Sequence, residues 1–231
     1  MNTPPPAVIG ARIEAIGTPA LVIDLDALER NLRKMADWAK HHGVRLRPHA
    51  KMHKSPIIAR KQMALGAVGV CCQKVSEAEA MVHGGVDDVL ISNQVVLPHK
   101  LERLAALGRH ARVSICVDDL DNVAQIAQAT TKFGVSIEVL VELNVGANRC
   151  GVAPGEPALK LAQKIATSPG LTFGGIQAYH GAAQHVRSFD ERRAAITKAE
   201  DMTRATRDLL RAHGLECRTI GGAGTGSYAF E

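Results

Sequence analysis

Aromatic side chains are scarce: they make up 3% of 231 residues, with one Trp, two Tyr and four Phe. A protein that stacks successive bases of a single-stranded nucleic acid needs more of them. A dense basic stripe is also missing. The net charge is +5, from 28 Lys and Arg against 23 Asp and Glu, and the only basic group is a short one at Arg45, Arg47, Lys51 and Lys54. Nucleic acid is therefore not the expected partner, whereas a local basic mouth suits a small anionic ligand. No apolar run is long enough to span a bilayer, and the opening Met-Asn-Thr-Pro-Pro-Pro lacks the basic and apolar stretches of a signal peptide. The five cysteines (Cys71, Cys72, Cys116, Cys150 and Cys217) are odd in number and never spaced Cys-x-x-Cys. That leaves no zinc ribbon and no disulfide framework. The expectation is a cytoplasmic protein with neither membrane nor nucleic acid as partner.

What is present is ordinary globular material. Apolar residues form 46% of the chain and charged residues 22%, and the length allows one large domain or two small ones. Hydrophobic spacing alternates between strand and helix. A short apolar strand at 20–24 precedes a helix capped by Asp26 and stopped by Gly43. Strands follow at 44–51, 68–73, 89–92, 113–117, 137–143, 171–178 and 217–220. Helices between them run over 56–65, 76–82, 99–107, 120–132, 156–167 and 189–213. Ser76 and Glu79 have the spacing of a capping box, and Asp118 or Asp119 caps the 120–132 helix. Strands such as 137–141 and 68–72 are apolar nearly throughout, the pattern of parallel strands covered on both faces. Repeated units of this kind build an open doubly wound sheet or a closed (β/α) barrel. Leaving aside 20–24, seven units begin at residue 44, one short of a barrel's eight.

Chemistry in such folds sits on the loops after the strands' C-terminal ends. The first exit carries Arg45, Arg47, His49 and Lys51 on one face by strand parity. Lys51, crowded by Arg47 and Lys54, would be partly desolvated and a better amine nucleophile. The plain alternative is an ordinary surface lysine, and Pro48 can break the parity with a bulge. The exit at 221–228 is rich in glycine, so successive N–H groups can converge on an anion, with Thr225 and Ser227 as hydroxyl donors. It matches neither the P-loop nor the Rossmann spacing. The exit at 144–151 offers Arg149 between glycines, a donor to a phenolate or carboxylate. The exit at 177–181 offers Gln177, Tyr179 and His180. His180 and His185 are five apart and lack a third ligand, so no metal site is assigned.

The motif Arg47-Pro48-His49-Ala50-Lys51-Met52-His53-Lys54 resembles the Pro-His-x-Lys block of fold-type III pyridoxal-phosphate enzymes related to D-threonine aldolase and D-serine dehydratase. Segments 73–79, 91–94, 146–151, 177–181 and 222–228 resemble further blocks of that family, in order, from about residue 18 to residue 231. The blocks at 73–79 and 177–181 are most similar to the branch that cleaves 3-hydroxy-D-aspartate. The resemblance implies an extension at 1–17 followed by an alanine-racemase-like (β/α)8-type barrel at 18–231, incomplete because the eighth strand and a C-terminal β domain have no counterpart. It implies Lys51 as the residue that carries the cofactor covalently, and Gly222, Gly224, Thr225, Gly226, Ser227 and Tyr228 as its phosphate site. Arg149 would lie near the cofactor's phenolic oxygen, Gln177 near its ring nitrogen, and Tyr179 and His180 along the substrate pocket, with His180 as the base. Asn144 departs from the family's usual Asp.

The implied activity is a retro-aldol cleavage of a β-hydroxy-D-amino acid. 3-Hydroxy-D-aspartate would give glycine and glyoxylate, and D-threonine would give glycine and acetaldehyde. A divalent metal (magnesium or manganese) and a homodimer are implied only for the full-length protein. Three alternatives stay open: a dehydratase using the same cofactor, a non-catalytic pyridoxal-phosphate carrier, and a phosphate-sugar barrel enzyme without it.

Overall fold

The structure is a computed structural model that describes residues 6–231. The chain forms two compact units, one ending at Val44 and the other Arg45–Glu231. The first holds helix α1 (Leu25–His41), whose first free N–H groups are met by Asp24, which accepts from the Ala27 N–H at 2.9 Å. Asp26 lies inside the first turn and is not the cap. Nor is 20–24 a strand: Leu21, Val22 and Ile23 are exposed and have no ladder partner among the described residues. A strand is a property of a pair, and apolar spacing alone does not supply the second member.

The second unit alternates strictly: α2 (Pro56–Ala64), β1 (Val70–Cys72), α3 (Val75–His83), β2 (Asp88–Ile91), α4 (Pro98–Leu107), β3 (Arg112–Val117), α5 (Leu120–Phe133), β4 (Ile137–Glu142), α6 (Glu156–Thr167), β5 (Leu171–Gln177), α7 (Phe189–Ala212) and β6 (Thr219–Gly221). All strand pairs are parallel, and the order across the sheet is that of the sequence. A doubly wound sheet reverses direction at its middle; this one never does. Right-handed crossovers that always advance the same way put every helix on one face and curl the sheet toward a barrel. The result is a half-barrel of six parallel strands.

Residues 44–51 run beside β1 without forming a full strand. The Val68 N–H donates to Leu46 O at 2.9 Å, the Cys71 N–H to Pro48 O at 2.8 Å and the Ala50 N–H to Cys71 O at 2.8 Å, with one bridge at His49–Cys71. Pro48 has no N–H to extend the ladder. Arg45 closes the gap on the far side, donating from Nη2 to Arg218 O at 2.9 Å and to Thr219 Oγ1 at 3.3 Å. The first line of chain therefore meets the start of β6, as in a barrel.

Strand parity sorts the side chains. Val70, Cys72, Val89, Ile91, Ile115, Val139 and Val141 point outward into the main core under the helices. Leu90, Cys116 and Leu140, with Cys71, form a thin apolar layer on the inner face. A charged layer sits among the inward residues nearer the strand starts, where Asp88 pairs with Arg47 at 2.7 Å and Glu138 with Arg112 at 3.3 Å and Arg218 at 3.2 Å. Burial pushes the thiols of Cys71 and Cys72 up to about 11 and 12, so both behave as small hydrophobes. Helix α3 starts one residue before Ser76 and has no side-chain cap; in place of the expected box, Glu77 accepts from the Gln73 N–H at 2.8 Å and Glu79 pairs with Arg103. Asp119 does cap α5, accepting from the Asn122 N–H at 2.9 Å. Among the described residues no helix is long and apolar enough to cross a membrane.

Candidate active site

Every strand ends at the same rim of the sheet, so the loops that follow them share one mouth. Ala50 ends the first line and the chain turns at once, with the Lys54 N–H on Ala50 O at 2.8 Å. Lys51 thus stands in a turn and is exposed, rather than being last on a strand. The expected crowding fails for a second reason: Arg47 is drawn away to Asp88. The neighbour that Lys51 does engage is His49, whose Nδ1 faces the Lys51 N–H at 3.3 Å and whose Nε2 lies 3.3 Å from Ser92 Oγ. Burial, then the Lys51 charge, then that of Arg149 push the His49 ring down to about 4, against a pull upward from Glu77. His49 is therefore neutral at neutral pH.

β4 ends on Glu142, a carboxylate 3% exposed at the tip of a strand whose other charge, Glu138, lies near its start. Gln94 Nε2 donates to Glu142 Oε2 at 2.6 Å, and Arg149 Nη2 to Oε1 at 3.4 Å. Burial raises the Glu142 carboxyl above the usual range; the Gln94 hydrogen bond and Arg149 oppose it and do not cancel it. Between these two residues the loop is folded by Asn144, whose Oδ1 accepts from the Gly146 and Asn148 N–H groups at 3.2 and 3.1 Å. The Arg149 guanidinium lies 5.8 Å from the centre of the Tyr179 ring.

The loop after β5 folds against the one after β4. His180 packs on Gly146, where a Cβ would stand 2.7 Å from its Nε2, and φ is +125°; only glycine fits there. His180 Nδ1 is buried with no partner. Gln177 pairs with Gly221 in the ladder, and its Oε1 would meet a Cβ there at 2.7 Å. A 3-10 turn, Gly181–His185, carries Gln184, whose Nε2 donates to the Tyr179 hydroxyl.

After β6 comes the glycine-rich loop. The Ala223 N–H donates to Glu231 Oε2 at 2.7 Å, the Gly224 N–H to Ser227 Oγ at 3.1 Å and the Gly226 N–H to Gln184 Oε1 at 3.1 Å. Three amides of one short loop thus donate to three separate side-chain oxygens, one of them a carboxylate, and are donors of the kind an anion cradle uses. A Cβ on Gly224 would fall within 2.5 Å of the Gln184 amide, and one on Gly222 within 2.8 Å of Ala178 O. Thr225 is exposed, Ser227 buried and Tyr228 half-buried, its N–H on Gly224 O at 2.9 Å.

These contacts link Lys51 to His49 and His49 to Ser92, and separately link Glu142 to Arg149, Arg149 to Tyr179, and Tyr179 through Gln184 to the glycine loop. The sequence reading assigned no role to His49, Gln94, Glu142 or Gln184. Glu142 left a signal, a charge directly after the apolar run 139–141; Gln184 left none. Among the described residues no group of three or more His, Cys, Asp and Glu is placed to hold a metal ion.

A family model described as "Alanine racemase, N-terminal domain" matches residues 23–231. The chain is 50% identical over 228 residues to a 3-hydroxy-D-aspartate aldolase of Paracoccus denitrificans (strain Pd 1222), covering 98% of this chain and 59% of that protein. It is 49% identical over 228 residues to a D-threonine aldolase of an Arthrobacter species, covering 99% of this chain and 60% of that protein. The solved D-threonine aldolase of Filomicrobium marinum superposes with a TM-score of 0.91 at 59% identity, over 93% of this chain and 58% of that one. The chain therefore spans about three-fifths of the length of these relatives.

Proposed function

The chain belongs to the alanine racemase N-terminal domain family, and on that premise we propose that it forms the cofactor-binding part of a pyridoxal-phosphate-dependent carbon–carbon lyase. Its substrate is a β-hydroxy-D-amino acid, 3-hydroxy-D-aspartate or D-threonine, cleaved to glycine and an aldehyde. The observation that carries this reading is the Arg45 contact with Arg218 and Thr219. It brings the start of the first line of chain beside the start of β6, so the exits of both, carrying Lys51 and the glycine loop, lie on the same rim of the sheet. An amine and an anion cradle on one rim are the two anchors that an aldehyde bearing a phosphate requires.

The residues present fit that cofactor: the loop amides already donate to oxygens, and His180 Nδ1 is a buried polar atom in want of a partner. When bound, pyridoxal phosphate supplies the sink for the electron pair left at Cα as the Cα–Cβ bond breaks. Lys51 holds its aldehyde carbon, and Gly222, Gly224, Thr225, Gly226, Ser227 and Tyr228 hold its phosphate. Arg149, which donates to Glu142, would present a cation to its phenolic oxygen, and Gln177 would be the side chain offered to its ring. Tyr179 walls the substrate side, and His180 accepts the β-hydroxyl proton through its ring nitrogen. The described residues offer no ligand set for the divalent metal, magnesium or manganese, expected of the complete protein, so each role is given to a side chain of this chain. The five free thiols fit a reducing cytoplasm, and a homodimer is the expected assembly of the complete protein.

Product analysis tests the activity. The chain loaded with cofactor is given the D- and L-forms of threonine and 3-hydroxyaspartate; glycine with acetaldehyde or glyoxylate, from the D-forms only, is the expected result. An oxo acid with ammonia moves the assignment to a dehydratase, and no turnover by a loaded protein moves it to a cofactor carrier.

A further inference from the structure

Gln184 has no part in the chemistry above, yet both ends of its amide are committed. Nε2 donates to the Tyr179 hydroxyl, and Oε1 accepts the Gly226 N–H at 3.1 Å. Its amide also fills the concavity in front of Gly224, where a Cβ would lie 2.3–2.5 Å from Cδ, Oε1 and Nε2, while its Cβ packs 3.4 Å from the same point on Gly226. The side chain lies across the glycine loop on one side and reaches the tyrosine on the other. It sits on a short 3-10 turn in which the Ala183 N–H bonds back to His180 O, so its root is fixed and its two amide hydrogen bonds set where the side chain points.

A neutral amide oxygen is a weaker acceptor than a phosphate oxygen, whose hydrogen bonds are charge-assisted and about twice as strong. Both want the same N–H in the same concavity, so they cannot occupy it together. We propose that Gln184 competes with the phosphate group for the Gly226 N–H and couples that site to Tyr179. A phosphate monoester that takes the amide turns Gln184 away, and the Tyr179 hydroxyl, relieved of its donor, becomes available to the substrate pocket. Gln184 is then a specificity-determining residue: it makes the tyrosine responsive to the phosphorylated cofactor and not to the free aldehyde. This rests on the reading that the glycine loop holds the cofactor phosphate.

The test uses the full chain as wild type, Gln184→Ala and Gln184→Glu, titrated with pyridoxal phosphate, with pyridoxal and with inorganic phosphate. Binding of the two aldehydes is followed by visible absorbance. Gln184→Glu places a carboxylate on the contested N–H and weakens pyridoxal phosphate at least about tenfold, a hydrogen bond's worth, with pyridoxal unchanged. Gln184→Ala removes the competitor and tightens pyridoxal phosphate several-fold over pyridoxal. With one Trp and two Tyr in the chain, near-ultraviolet absorbance reads the tyrosine. Inorganic phosphate perturbs it in wild type, but not in Gln184→Ala or in the Tyr179→Phe control. Equal shifts for both aldehydes in both variants, or a phosphate-induced tyrosine change that survives Gln184→Ala, overturn the coupling. A wild type that binds neither aldehyde overturns the functional reading itself.

Discussion

The His49 ring gives a pH dependence whose sign and size follow from its surroundings. Its pKa falls from 6.5 to about 4, chiefly through burial, with the Lys51 and Arg149 charges adding to the drop and Glu77 working against it. The unfolded chain takes the proton more readily than the folded one, so stability is present above about pH 6.5 and lost as pH falls toward 4. For a free value of 6.5 and a folded value near 4, the full linkage loss at pH 5 is about 2 kcal/mol. His49 is only half-buried, and solvent screening reduces this to about 1 kcal/mol. Urea denaturation at pH 7 and pH 5 measures it against a His49→Asn variant, which cannot take up the proton; wild type should lose about 1 kcal/mol more than the variant over that interval. A proton NMR titration of His49 apportions the causes. In Lys51→Ala the pKa rises yet stays below 6.5, because burial is the larger effect. Parallel pH profiles for wild type and His49→Asn would refute the reasoning.

Three further substitutions address two carboxylates on the inner face of the sheet. Glu142→Gln keeps an acceptor for Gln94 and removes a charge that burial disfavours, so it is neutral or stabilising at pH 8 by denaturant unfolding. Glu142→Ala strands the Gln94 amide, whose Oε1 already has no partner, and costs about 1–3 kcal/mol; equal losses in the two variants would contradict the raised carboxyl. Glu138 is 11% exposed and faces Arg112 and Arg218, each more than half exposed. Glu138→Ala leaves those arginines facing each other, at a cost of about 1–2 kcal/mol that deepens at low salt; a loss independent of ionic strength would show that packing, not charge, is what Glu138 supplies.

Much of the scaffold was legible because the central strands bury both faces and each helix one. That writes a run of apolar residues followed by a 3.6-residue period, and it located α6 at its ends as well as its middle. Spacing alone left barrel and open sheet undecided, because strand order is set by which way each crossover advances; the family resemblance pointed to the barrel, and the sheet order agrees. The 20–24 segment and Lys51 mark the same limit from opposite sides. Apolar spacing foretold a strand that has no partner among the described residues, and parity carried Lys51 along a ladder that Pro48 and the turn at Ala50 had already ended. At the mouth, Arg149, Tyr179 and His180 stood out because charged, aromatic and titratable groups at strand exits have few structural uses. Gln184 did not, since its two partners come from a tyrosine five residues away and a loop 42 residues on.

The claim on which the account depends is a covalent bond between the cofactor's aldehyde and one lysine. The chain is mixed with pyridoxal phosphate, reduced with borohydride, digested and mapped by mass spectrometry. The account predicts a pyridoxyl-phosphate label on Lys51 that is lost in Lys51→Ala; a label confined to Lys54, Lys74 or another lysine, or no label at all, contradicts it.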